Sequence, residues 1–141
     1  MISFDECIRE GLLRKMPPSK KEAEDQLQKA GVLLNEAKIA LATNLPNAAM
    51  MSAYTAVLDA GRALLFRDGF REKSHACVAR YLEAKYSREI GVSDVYLLDE
   101  YRDRRHKTLY SGDYYPTLAE AKRVVSFAEG FIGKVGKLLK P

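Results

Sequence analysis

The 141-residue sequence contains no tryptophan, two cysteines, two histidines, five prolines and nine glycines. No apolar run approaches the roughly eighteen residues of a membrane-spanning helix, so no bilayer crossing is expected. Few prolines and glycines beside a 47% hydrophobic fraction exclude a disordered or collagen-like chain. Cys7 and Cys77 have no Cys or His neighbours at metal-ligand spacing, and His75 and His106 lie far apart, so neither a metal site nor a cofactor is expected. The phosphate-binding glycine loop, the dinucleotide fingerprint, the GxSxG elbow, the HExxH pair and paired-cysteine motifs are all missing, which removes support for the common enzyme classes. The first residues, MISFDECIREGLL, carry Asp5, Glu6 and Glu10 and show no basic-then-apolar leader pattern. A cytoplasmic location is therefore expected, with both thiols reduced and Cys77 a small core residue.

What is present is helical periodicity. The length is that of a single domain, 1–141, large enough to bury a substantial core. A short helix is predicted from Phe4 to Lys15, ended by Pro17-Pro18. Ser19 and Glu22 then have capping-box spacing. Ala23, Leu27, Ala30, Leu34, Ala37 and Leu41 make one apolar stripe that ends near Thr43-Asn44. Pro46 suits the first turn of a helix over roughly Asn47 to Phe70 that is apolar on most sides, hence central, with Gly69 in its stop signal. Ser74 is placed to cap a shorter helix to about Tyr86, and Ser93 a longer one to about Thr108. A second capping box, Thr117 to Glu120, opens the last helix, which has the cleanest stripe of all. No segment shows strand alternation. The fold class is all-α: an up-and-down bundle of four main helices, plus a short N-terminal helix and a short extra helix.

The anomaly is in the segment RDRRHK. The stripe that begins Val95, Leu98 continues by steps of three and four to Arg102, Arg105 and Leu109. Arginines thus occupy positions where aliphatic side chains are the rule. Guanidinium groups on a half-buried face seek a carboxylate, a phosphate or an interface. The ordinary account is ion pairing with Asp99, Glu100 and Asp103 while the long stems snorkel. The net charge of +4 permits a nucleic-acid partner without requiring one. His106 could serve as acid or base, or be a plain surface residue. His75 is expected to make a capping or packing contact. Asp59 could pair with Arg62 or anchor an arginine of the later helix. Tyr110, Tyr114 and Tyr115 could stack on bases, although at least two of them are expected to plug the end of the bundle.

Several of these pieces together resemble the HEPN domains (higher eukaryote and prokaryote nucleotide-binding). They are Ser52-Ala53-Tyr54-Thr55-Ala56 continuing to Gly61-Arg62-Ala63-Leu64-Leu65, then Arg71-Glu72-Lys73-Ser74-His75, then Arg102 to Tyr110 with Gly112-Asp113, and finally Ala128-Glu129-Gly130-Phe131-Ile132. Their order and spacing fit small prokaryotic HEPN proteins over roughly residues 3 to 139. The resemblance implies a helical bundle, often a homodimer, and in many members a minimal nucleotidyltransferase partner. Some members are toxins of toxin-antitoxin pairs that cut RNA without a metal through an Arg-x4–6-His motif on the penultimate long helix. There the arginine steadies the phosphate and the histidine assists the ribose hydroxyl.

The present chain departs from that motif. Arg102 to His106 has three intervening residues, and so does Arg71 to His75, on the wrong helix. Counting from Arg105, the histidine's place is taken by Tyr110, whose unperturbed pKa of about 10 makes it a poor acid or base near neutrality. His106 adjoins Arg105, about 100° round a helix from it. The motif is degenerate, and three readings follow. The first is a nucleotide-, RNA- or partner-binding module, ligand-binding through Arg102, Arg105, Tyr110 and Asp59 and acting with a nucleotidyltransferase. The second is a metal-independent endoribonuclease with a rearranged catalytic site of Arg105, His106 and Tyr110 in a dimer cleft. The third is a purely structural module whose arginines form interface ion pairs.

Overall fold

The computed structural model describes residues 1–140. Its elements are α1 (Phe4–Arg9), β1 (Leu13–Lys15), α2 (Lys20–Ala42), α3 (Pro46–Asp68), β2 (Phe70–Glu72), α4 (His75–Ile90), α5 (Val92–Tyr110) and α6 (Leu118–Leu139). The all-α reading holds, and α3 is the helix the others surround. Both α2 and α6 pack along it, and α4 and α5 cover its remaining side. Ala49, Ala53, Ala56, Ala60 and Ala63 are all fully buried, so small side chains let neighbouring helices close on the α3 backbone. From α2 come Ala23, Ala30 and Ala37, and from α6 Ala121, Val124, Ala128, Phe131 and Val135. Gly61 is another close approach: a Cβ there would stand 3.1 Å from both Val78 and Leu82 of α4.

The helix ends follow capping chemistry, with three departures from expectation. Thr117 and Glu120 form the reciprocal box. At Ser19 only half forms: its hydroxyl accepts from the Glu22 amide at 3.1 Å. The Ser19 amide instead donates to the Phe66 carbonyl at 3.0 Å, so Glu22 has no donor to return to. Ser93 lies inside α5 rather than capping it, because Gly91, at φ 100°, takes the N-cap position. The helix begun at His75 runs on to Ile90, with irregular backbone at Tyr86 (φ −133°, ψ 17°) where the shorter helix was expected to end.

The first twenty residues overturn two further expectations. Helix α1 stops at Arg9, and Leu13–Lys15 pairs antiparallel with Phe70–Glu72, Leu13 opposite Glu72 and Lys15 opposite Phe70. Strands of three residues are too short to show an alternating pattern. The cysteines are not free thiols: Cys7 and Cys77, both fully buried, form a disulfide. Seventy positions separate them, and only the packing of α1 on α4 brings their Cα atoms to 5.8 Å, within bonding range. Further stitches run beside it. The Lys73 amide donates to the Leu12 carbonyl at 2.9 Å, and the Met16 amide to that of Gly69 at 2.8 Å.

The far end of α3 is tied by Asp68, which accepts from the Tyr81 hydroxyl at 2.8 Å and from Tyr86. Arg67 reaches the Tyr86 hydroxyl at 2.7 Å and the Leu138 carbonyl. Burial and the Asp68 carboxylate hold both phenols well above their ordinary range, Tyr86 to about 12.

Closing a loop of this length should stabilise the fold by about 2–4 kcal/mol through the unfolded state. Urea unfolding with and without dithiothreitol should show that loss on reduction, with α2–α6 remaining helical by circular dichroism. Gly69 caps α3 at φ 91°, and a Cβ there would lie 2.8 Å from the Met16 carbonyl oxygen. Gly69→Ala is therefore expected to cost more than about 1 kcal/mol in the same assay.

Candidate functional site

Helix α5 begins as an ordinary packed helix. Val95 and Leu98 are buried. One turn on, the same stripe passes to arginine, and by Leu109 it has reached solvent. Arg102 and Arg105 are half-buried here, their stems along the seam with α3 and α4.

A buried pair underlies them. Arg80 of α4 is 5% exposed and bonds to Asp99 of α5, with Glu83 at 3.6 Å. The other Asp99 oxygen faces Arg102 Nε at 3.7 Å, beyond hydrogen-bonding range. Arg80 and Arg102 thus share one carboxylate. Arg105 makes no ion pair among the described residues. Its guanidinium lies over the Tyr54 ring of α3, 5.6 Å from the centroid, a cation–π contact. Burial pushes the Tyr54 hydroxyl up to about 12 against the pull of Arg102 and Arg105, so it stays a neutral phenol. Thr108 carries the α5–α3 contact onward to Met50, Oγ1 to Sδ at 3.6 Å.

Among the described residues, four buried side-chain polar atoms have no hydrogen-bond partner: Arg80 Nε, Asp99 Oδ1, Arg102 Nε and Arg105 Nε. All four lie along this one seam. Three of them face ion-pair partners just beyond hydrogen-bonding range, Arg102 Nε and Asp99 Oδ1 each other at 3.7 Å and Arg80 Nε the Glu83 carboxylate at 3.6 Å, so Arg105 Nε is the one with no carboxylate near it among the described residues.

The rest of the basic run serves structure. Arg104 turns to the other side, bonding Glu100 at 3.0 Å and Glu120 of α6 at 2.7 Å. The Tyr114 hydroxyl joins the same Glu120 at 2.9 Å. Lys107 pairs with Asp103 at 3.2 Å on the exposed surface. Of the tyrosines expected to plug the bundle, only Tyr114, held by Glu120, packs in; Tyr110 and Tyr115 are 73% and 72% exposed. The His106 ring packs against that of Tyr110, tilted by 49°, with centroids 4.8 Å apart. These two are together, and both face solvent, rotated round α5 from the seam that holds Arg105.

Asp59 is 8% exposed, and its ion-pair partner is Arg62 of the same helix at 3.6 Å rather than an arginine of α5. Arg62 also holds Glu72 at 2.9 Å. Burial raises the Asp59 carboxyl while Arg62 opposes the shift. His75, expected to cap or pack, is the first residue of α4, and the Ser74 side chain, expected to cap that helix, makes no cap bond. Loss of solvent around part of its ring lowers its pKa. Arg105 lowers it further, with smaller contributions from Arg62 and Arg102, and Glu72 opposes them. A lone histidine in a segment well before the basic run gave no sign of this; the α4–α5 packing supplies it.

Asp99→Ala would leave the buried Arg80 with only the exposed Glu83 carboxylate, 3.6 Å away, as counter-ion, at an expected cost of about 3 kcal/mol in chemical unfolding. Arg105→Ala, with no ion pair to break, should cost about 1 kcal/mol or less.

No curated protein matches the chain significantly. The family model of the HEPN domain matches residues 23–138, a span running from the first turn of α2 to the last turn of α6. That match covers most of the chain and every helix around the arginine face, and the chain belongs to the HEPN domain family.

Proposed function

We propose that this HEPN domain is a binding module with a degenerate ribonuclease motif, and that its α5 arginine face takes the phosphate of a nucleotide or of RNA. The observation that carries this reading is Arg105: a half-buried guanidinium with no carboxylate among the described residues, an unspent Nε, and an aromatic face beneath it. Planar guanidinium forks suit phosphate oxygens, and stacking on Tyr54 keeps the fork oriented. Arg102, sharing its carboxylate with Arg80, is the second donor. The residues 1–141 act as one domain in this reading, as a homodimer with a minimal nucleotidyltransferase as partner, in the cytoplasm. There the Cys7–Cys77 bond would meet reducing conditions.

His106 and Tyr110, packed against each other in solvent, offer no general base turned toward Arg105, which supports binding over cleavage. The endoribonuclease reading requires a second copy to bring such a group to the cleft.

Fluorescence anisotropy with labelled single-stranded RNA tests the proposal. Affinity should fall with salt with a log–log slope of about −0.7 per phosphate contact. Arg105→Ala should weaken binding about tenfold or more and flatten that slope by about 0.7. Unchanged affinity in Arg105→Ala would overturn it. Incubating the same RNA in EDTA separates the alternatives: cleavage by wild type that disappears in Arg105→Ala and His106→Ala would establish the nuclease reading instead.

A further inference from the structure

We propose that His75 completes the arginine face, holding one phosphate jointly with Arg105 and taking up a proton when that phosphate binds. This rests on the phosphate-binding reading above and adds to it a residue from a different helix.

The placement follows from topology. Gly91 joins α4 directly to α5, and the two helices return side by side. The Arg80–Asp99 bond fixes their register. Counting from it, five residues back along α4 and six forward along α5, stand His75 and Arg105. These are comparable distances at about 1.5 Å per residue. The antiparallel hairpin therefore brings the start of α4 to the arginine end of α5.

The charges around His75 explain the proton. Arg105 and Arg102 of α5 and Arg62 of α3 are each near enough to lower its pKa. Glu72, three residues before it, is the opposing carboxylate, and Arg62 already holds Glu72 at 2.9 Å. Partial burial of the ring, and then these guanidiniums with the one nearby carboxylate already held by Arg62, disfavour an imidazolium there, so its pKa lies below the ordinary value. A bound phosphate reverses this. Its negative charge favours the imidazolium, whose N–H then donates to a phosphate oxygen, the proton coming from solvent. No covalent bond changes. The sign follows: the bound-state pKa lies above the free-state value, so affinity rises as pH falls through the first and levels off below the second. His106, packed against Tyr110 outside the seam, has no such role.

Two probes distinguish the sources of phosphate: oligouridylate for the diester backbone, whose bases have no basic ring nitrogen, and AMP for the monoester. Oligouridylate carries no group that titrates near pH 6, so its pH profile reports the protein. AMP itself titrates near pH 6, so for it the His75 ring resonances are followed by NMR. Binding of either probe alone identifies which form of phosphate the site takes.

Wild-type affinity for a bound oligouridylate should rise about fivefold from pH 7.5 to pH 5.5. His75→Gln should change less than about twofold over that range and bind about fivefold more weakly at its acid end. The His75 resonances should titrate at higher pH when either probe is bound, with those of His106 unmoved. If Arg105→Ala loses binding while His75→Gln matches wild type at every pH, this inference falls and the phosphate reading stands. If Arg105→Ala binds as wild type, the phosphate reading falls as well. If wild type binds neither probe, both are overturned. Matching circular dichroism and melting temperature of His75→Gln and wild type guards against a folding defect, which an exposed position in a first helical turn should not produce.

Discussion

The constraint that organises this molecule is the apolar surface of α3. A helix buried over nearly its whole circumference cannot lie on a surface; something must cover each side. The covering helices α2 and α6 bring one apolar stripe each, which is all such a position requires. The alanines of α3 set the spacing, because they admit close approach without leaving voids. Gly61 extends the same logic to α4, where no side chain larger than hydrogen fits without displacing Val78 or Leu82.

The remaining side of α3 is closed by a helix that is only half suited to it. At Val95 and Leu98, α5 meets the core on apolar terms. Past Asp99 it meets α3 through Tyr54 and Met50 and meets α4 through a buried ion pair. A buried pair is a poor source of net stability, since desolvation of both ions consumes most of the attraction. Apolar residues of similar volume at Arg80 and Asp99 would close this seam as well or better. What the pair does that they could not do is hold a carboxylate where it orients Arg102 while leaving Arg105 outside its reach. The seam is a local departure from good packing, and such departures in otherwise consistent folds gather at functional sites.

How much of this was legible depended on whether the signal was local. The stripes of α2 and α6 were readable because every residue in them faces the core for the same periodic reason. The arginines at 102 and 105 were readable as an anomaly by the same measure. What resisted reading was pairwise and distant. Cys7 and Cys77 had no motif, because their proximity is a product of α1 packing on α4. The strands at Leu13–Lys15 and Phe70–Glu72 were each too short to carry a pattern. Ser93 had the chemistry of a cap, but the positive φ of Gly91 starts the helix earlier. Tyr110 and His106 invited attention by sequence position, yet a helix turns about 100° per residue, and that rotation puts them in solvent while Arg105 stays in the seam.

The first twenty residues show why the site cannot be read from the family match alone. The match begins at residue 23, so α1 and β1 lie outside it. Yet this arm grips the chain on both sides of His75. The Leu12 carbonyl takes the Lys73 amide two residues before it, and the disulfide holds Cys77 two residues after it. Strand pairing fixes the segment ending at Glu72, whose carboxylate Arg62 in turn restrains. The opening turn of α4 has no side-chain cap of its own from Ser74, and helix ends without caps fray. Tethers on both flanks supply from outside the rigidity that this turn lacks locally. The arm is therefore tied to the geometry of the arginine face without contributing a charge to it, through the position it imposes on the start of α4.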